Sequence, residues 1–168
     1  DTELANTYAA YHALPDAEKT RIAELPVVHC FAAAQRRAHP EATEAERAEW
    51  TRVPDRIHPL VWNHRDGRKS LVLGATAAEI VDWPADEGAA LLDELLAWCT
   101  QPQFVRRHHW HRGDLVIWDN TGMLHRALPF EPTSPRLIHR TTLVGEEPIQ
   151  SPQSTRPSSR RCPDKCST

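Results

Sequence analysis

"GDLVIWDNTGMLHRALPF", residues 113–130, decides how this chain is read. Val, Ile and Trp form a β-like apolar run, Asp-Asn-Thr-Gly makes a polar turn, and a single histidine, His125, follows. Further on, "RLIHRTTLV" (136–144) alternates as a last strand. Residues of equal parity share a strand face, so Arg136 and Arg140 project to one side. Two arginines on an otherwise apolar inward face are costly without anions to pair with. A dicarboxylate or sulfonate ligand would supply them through bidentate hydrogen bonds. Internal pairing with acids such as Asp119 would do so as well, and spacing does not choose between the two.

The surrounding sequence supplies short strands and inserted helices. Asn6 caps a helix over residues 8–14, and Pro15-Asp16 opens a second that runs to about Leu25. "VVHCF" reads as a short strand, and residues 40–50, rich in Ala, Glu and Arg, as a solvent-facing helix or a mobile insertion. "RIHPLVWNH" and "KSLVLG" flank Asp66-Gly67, a strong hairpin signal. "TAAEIVDW" predicts a short helix, and "PADEGAALLDELLAWCT" a longer one that buries Leu91, Leu92, Leu95, Leu96, Trp98 and Cys99. "FVRRHHWH" and "LVIWDN" predict a second hairpin. The expected fold is mainly β with inserted helices, a sandwich or barrel whose visible strands are too few to close it.

With 168 residues, 40% of them hydrophobic and 26% charged, the chain has the composition of a soluble globular domain. A net charge of −3 gives no reason to expect nucleic acid or an anionic membrane as partner. No apolar stretch reaches membrane length, and no secretion signal opens the chain, so a reducing cytoplasm is the expected location. Cys30 and Cys99 sit in apolar surroundings and read as small core residues. Residues 1–150 form the expected domain. Residues 151–168, rich in Ser, Pro and Arg and carrying Cys162 and Cys166 at a poor zinc spacing, form an expected disordered tail.

Two other histidine groups compete with His125. His109 and His111 share a strand face, but Arg106, Arg107 and Arg112 would repel a cation there, which favours a solvated face. His64-Arg65-Asp66 has the His-x-Asp form that gives two ligands of a 2-His-1-carboxylate iron site. It falls on the Asp-Gly hairpin tip, where Asp serves the turn and the surface is the usual location, so it is expected to lie outside the site.

"HWHRGDLVIWDNTGMLHRALPFEPTSPRLIHRTTLVGEEPI" (109–149) resembles the C-terminal signature of the taurine dioxygenase (TauD/TfdA) family of iron(II)- and 2-oxoglutarate-dependent oxygenases. "HPLVWNHRDGRKSLVLG" (58–74) is similar to the family's "HP…GRKxL" hairpin, and residues 1–25 to the segment after its "GGDT" turn. The resemblance implies a double-stranded β-helix (jelly roll) that binds Fe(II), with 2-oxoglutarate as cosubstrate. It implies that His125 is the distal histidine ligand, that Arg136 and Thr2 bind 2-oxoglutarate, and that Arg140 faces the substrate anion or the near end of 2-oxoglutarate. Trp118, Asp119 and Asn120 read as supports of the turn before His125. The family's own His-x-Asp precedes the "GGDT" turn, at which this chain opens. The resemblance therefore implies the C-terminal part of a jelly roll, incomplete at its N-terminus and inactive alone. Expected partners are O2 and a small anionic substrate of sulfonate, alkyl sulfate or aryloxy acid type, with self-association as a further expectation. A non-catalytic jelly-roll module that binds a small anion, or an interaction fragment with a basic tail, are the other readings.

Overall fold

The computed structural model describes residues 1–131 and 133–150. Strand β1 (Thr2–Asn6) buries Thr2, Leu4 and Ala5. Asn6 ends it and caps helix α1 (Thr7–His12), its side-chain oxygen accepting from the Ala9 N–H at 3.0 Å. Pro15 then sets up helix α2 (Asp16–Ile22), with Asp16 and Glu18 in its first turn and Lys19 and Arg21 in its last, as the helix dipole favours. Strand β2 (Pro26–His29) leads to helix α3 (Phe31–Ala38), which the alanine-rich "FAAAQRRA" does not announce by periodicity. Cys30 caps it, Sγ accepting from the Ala33 N–H. Helix α4 (Glu44–Trp50) buries none of its residues and starts with a Thr43/Glu46 capping box, so local capping supports it instead of a core face.

Strands β3 (Arg56–Pro59), β4 (Val61–Asn63), β5 (Lys69–Leu71) and β6 (Ala77–Ile80) follow, then helix α5 (Ala85–Cys99), β7 (Val105–His108) and β8 (Met123–Ala127). Among the described residues they form two three-stranded sheets, ordered β7-β1-β8 and β3-β2-β6, and the β4-β5 hairpin; every pairing is antiparallel. The hairpin turns at Gly67, whose φ of 85° a residue with a Cβ rarely adopts. On α5, Leu91, Leu92, Leu95 and Cys99 are buried in one apolar cluster with Ile22, Val27, Leu60 and Ile80. Burying each such leucine contributes about 1.5–3 kcal/mol. Trp98 is partly buried, and its ring N–H bonds the Ala10 carbonyl at 2.9 Å, tying α5 to α1. Cys30 and Cys99 are core residues, as expected. No helix among the described residues is long and apolar enough to cross a membrane.

Three expected elements are corrected. "TAAEIVDW" holds the strand β6 and not a helix, because Val27↔Ile80 and Val28↔Glu79 pairing captures it against β2. "LVIWDN" does not return as a hairpin partner, since β7 pairs with β1 instead. Residues 113–119 and 136–144 pair with no strand among the described residues, and an extended segment without a ladder partner is not a strand. Their apolar side chains face solvent: Leu115 is 82% exposed, Ile117 85%, Leu143 87% and Val144 97%. The expected tail, with Cys162 and Cys166, lies outside the described residues.

Candidate functional site

The centre of the site is the β1-β8 ladder. Thr2 stands opposite Ala127 and Leu4 opposite His125, so Thr2 and His125 are diagonal neighbours on one face, although 123 positions apart in sequence. The His125 ring lies 5.1 Å from the Trp118 ring, tilted by 49°. Arg140 Nη1 stands 3.4 Å from His125 Nε2, and a guanidinium can only donate, so that nitrogen offers its lone pair. Partial desolvation, and then the positive charge of Arg140, lower the His125 pKa and so favour the neutral ring. Thr2 is buried, and its Oγ1 accepts from the Trp110 ring N–H at 2.9 Å, which leaves its own proton to donate elsewhere. Arg136 lies with Cζ 4.8 Å above the Phe130 ring, and its Nη1 is buried with no hydrogen-bond partner among the described residues.

The turn before β8 is held by side chains. Asp119 Oδ1 accepts from the Thr121 amide at 2.9 Å and its hydroxyl at 2.7 Å, and Trp118 Nε1 donates to Asn120 Oδ1 at 2.8 Å. These bonds give Trp118, Asp119 and Asn120 the supporting role their position suggested. The Tyr8 hydroxyl donates to Asp119 Oδ2 at 3.1 Å and lies 2.7 Å from Thr121 Oγ1. Burial alone would raise the Asp119 pKa, but the hydrogen bonds from Thr121 and Tyr8 outweigh it and leave the carboxyl below its ordinary value. Asp119, the acid weighed as a partner for the two arginines, is thus engaged by Tyr8 and Thr121.

The other histidine groups are held by partners of their own, and His64 touches the turn before β8 through Ser70. Asp66 is exposed and serves its turn, accepting from the Arg68 amide at 2.9 Å and from Arg68 Nε at 2.6 Å. His64 corrects the expectation of a surface residue: it is buried, stacked on Trp62 at 4.4 Å, with Nε2 2.8 Å from Ser70 Oγ. His109 and His111 lie on exposed backbone beside Asp1 and Asp114, 2.9 and 3.7 Å away, a solvated charge pattern. Among the described residues no three His, Cys, Asp or Glu side chains gather as a metal would need.

Residues 1–142 match the family described as "Taurine catabolism dioxygenase TauD, TfdA family". The chain belongs to the TauD/TfdA family. It is 39% identical over 154 residues to the alpha-ketoglutarate-dependent 2,4-dichlorophenoxyacetate dioxygenase of Burkholderia sp. strain RASC, covering 91% of this chain and 51% of that one. It is 32% identical over 155 residues to the alpha-ketoglutarate-dependent sulfate ester dioxygenase of Pseudomonas putida, covering 89% and 52%. Its fold matches a crystal structure of AAD-2 in complex with Mn(II) and N-oxalylglycine with a TM-score of 0.80 and 35% identity, over 89% of this chain and 59% of that one. The chain spans about half the length of the curated relatives it matches.

For a TauD/TfdA chain, the described residues fit the two implied groups unequally. A buried guanidinium nitrogen on Arg136, unpartnered among the described residues, suits a carboxylate such as that of 2-oxoglutarate. For iron they offer one neutral imidazole, His125, and no further clustered donors. Sequence reasoning missed Tyr8 and Ser70, which hold the Asp119–Gly122 turn. Ser70 carried a signal, a polar residue inside the apolar run "KSLVLG" that turns out to be fully buried. Tyr8 carried none, since its partners lie more than a hundred residues away.

Proposed function

We propose that this chain contributes one iron ligand, His125, and the 2-oxoglutarate cradle of an Fe(II)- and 2-oxoglutarate-dependent dioxygenase that hydroxylates a small anionic substrate. The observation that carries the reading is the buried Arg136 Nη1 without a hydrogen-bond partner among the described residues, since a charge in that position asks for an anion. Arg136 would pair with the remote carboxylate of 2-oxoglutarate. Thr2, oriented by Trp110, would donate its free hydroxyl proton to the same anion. His125 would ligate through Nε2, and Arg140, now against that nitrogen, would turn to the substrate anion or the near end of 2-oxoglutarate. When bound, iron and 2-oxoglutarate would supply, with O2 as the oxidant, an oxidative decarboxylation that places one oxygen atom in succinate and the other in the hydroxylated product and releases CO2.

In this reading residues 1–150 belong to a jelly-roll domain, the two three-stranded sheets being parts of its walls. Iron's other ligands come from outside the described residues. Relatives named for an aryloxy acid and for sulfate esters support an anionic organic substrate, and Arg140 is the residue to meet it. A reaction in the cytoplasm without nucleic acid or membrane partners is consistent with the charge and with the apolar pattern. The test is succinate formation by the polypeptide that carries this chain, with Fe(II), 2-oxoglutarate, O2 and a panel of aryloxy acids, alkyl sulfates and sulfonates. Coupled succinate release that His125→Ala abolishes supports the proposal. Anion binding without turnover on any of these would favour a non-catalytic module.

A further inference from the structure

Resting on the reading of His125 as a metal ligand, we propose that Tyr8, Ser70 and His64 are positioning residues that clamp the Asp119–Gly122 turn and thereby fix His125 on β8. The need for a clamp follows from topology. β8 lies at the edge of its sheet, bonded to β1 alone among the described residues, and an edge strand frays readily. Its second anchor is the turn that ends one residue before it.

That turn is gripped from two separate elements. From α1, the Thr7 N–H donates to the Gly122 carbonyl at 2.9 Å, and the Tyr8 hydroxyl meets both Asp119 and Thr121. From β5, the fully buried Ser70 donates its hydroxyl to the Thr121 carbonyl at 2.8 Å. A serine has one proton to give, so His64 Nε2, 2.8 Å from the same oxygen, must be the donor to it. The chain of bonds therefore runs from His64 through Ser70 to Thr121, four positions before His125. Trp62 stacked on His64, and the Arg68 guanidinium 4.3 Å from the centre of the Tyr8 ring, hold the outer members in place. These contacts are polar and directional and converge on one short turn, as the support of a ligand needs and generic apolar packing does not provide.

Amide hydrogen exchange and the NMR resonances of the His125 ring, measured on the 168-residue chain without metal, test the clamp. Tyr8→Phe and Ser70→Ala each remove one or two hydrogen bonds, and should lower protection at Met123–Ala127 about tenfold while sparing Val27–His29. Both should also shift the His125 ring resonances. Trp98→Phe, which removes the bond to the Ala10 carbonyl, is the control and should leave β8 and His125 unchanged. Unaltered β8 protection in both clamp variants, or a loss spread equally over both sheets, would overturn the proposal. Iron content of the complete polypeptide that carries this chain, with and without His125→Ala, tests the premise separately. Loss of bound Fe(II) on that substitution supports the ligand role of His125. Unchanged iron content overturns that role, and with it the purpose of the clamp, even where the exchange data stand.

Discussion

Gly122→Ala should unfold the chain more easily for one identifiable reason. A Cβ at this position would lie 1.8 Å from Tyr8 Cε2, 2.2 Å from Cδ2 and 2.4 Å from Cζ, so the ring must leave its place. Overpacking of this kind costs about 1–3 kcal/mol. Displacing the ring also breaks the Tyr8 contacts with Asp119 and Thr121, each worth about 1 kcal/mol. The sum is roughly 3–5 kcal/mol, or a drop in Tm of about 2–4 °C per kcal/mol for a chain of this size. Backbone strain adds nothing, because the glycines with positive φ are Gly67, Gly74 and Gly113 and not Gly122. Once Tyr8 is cut back to alanine, the same Gly122→Ala change should therefore be neutral or stabilising by about 0.4–1 kcal/mol, through the lower entropy of the unfolded chain. Urea denaturation of the four proteins closes the double-mutant cycle. An equal cost in both backgrounds, or no cost in the unsubstituted chain, would refute the reasoning.

Stability should also fall as the pH drops from about 6.5 towards 4. His29 is held neutral, its pKa lowered to about 4 by burial and then by His58, so the unfolded chain binds more protons over that interval. Replacing His29 with Asn should flatten that part of a pH-denaturation curve, and an unchanged slope would count against the burial argument. Burial pushes the Cys99 thiol up to about 12, so iodoacetamide at pH 8 should label its peptide only after unfolding, read by peptide mass mapping. Residues 1–168 alone should lose Fe(II) on desalting and form no succinate, because the described residues bring one imidazole to the site and that cannot hold an octahedral ion against water. Stoichiometric retained iron would refute this and bring His64 and Asp66 back as ligands.

The parts of the fold legible in the sequence are those that local chemistry determines. Asn6 as a cap, Asp66-Gly67 as a turn and the leucines of α5 as a core face each rest on neighbours within a few positions. β6 is not legible in this way, because "TAAEIV" suits a helix locally and only the distant β2 decides for a strand. Residues 113–119 and 136–144 have strand-like alternation, but alternation records what a segment suits and not whether a partner is present. The site shows the same division. His125 was visible as an isolated histidine after a turn, and Thr2 through family resemblance. Tyr8, Ser70 and the burial of His64 depend on a tertiary network that no single stretch encodes.

β1 is what joins the two ends of the site. As the central strand it pairs with β8 on one side and β7 on the other, so Thr2 lies between Ala127 and His108. Exposed charge pairs line this ladder: Glu3 with Arg126 at 2.7 Å, and Asp1 with Arg107 at 2.6 Å. Such pairs contribute little energy individually. What fixes the register is that slipping by one residue would turn Thr2 and Leu4 outwards and Glu3 into the core. His125 therefore has two anchors, the β1 ladder and the turn held by Tyr8 and Ser70, whereas Arg136 and Arg140 lie on a segment with no ladder among the described residues. A segment that no ladder braces holds its side chains less firmly, and any freedom they lose when an anion binds at Arg136 is subtracted from the affinity. Any polypeptide that pairs with residues 136–144 should consequently tighten anion binding at Arg136 without touching the anion, because it has already met that cost.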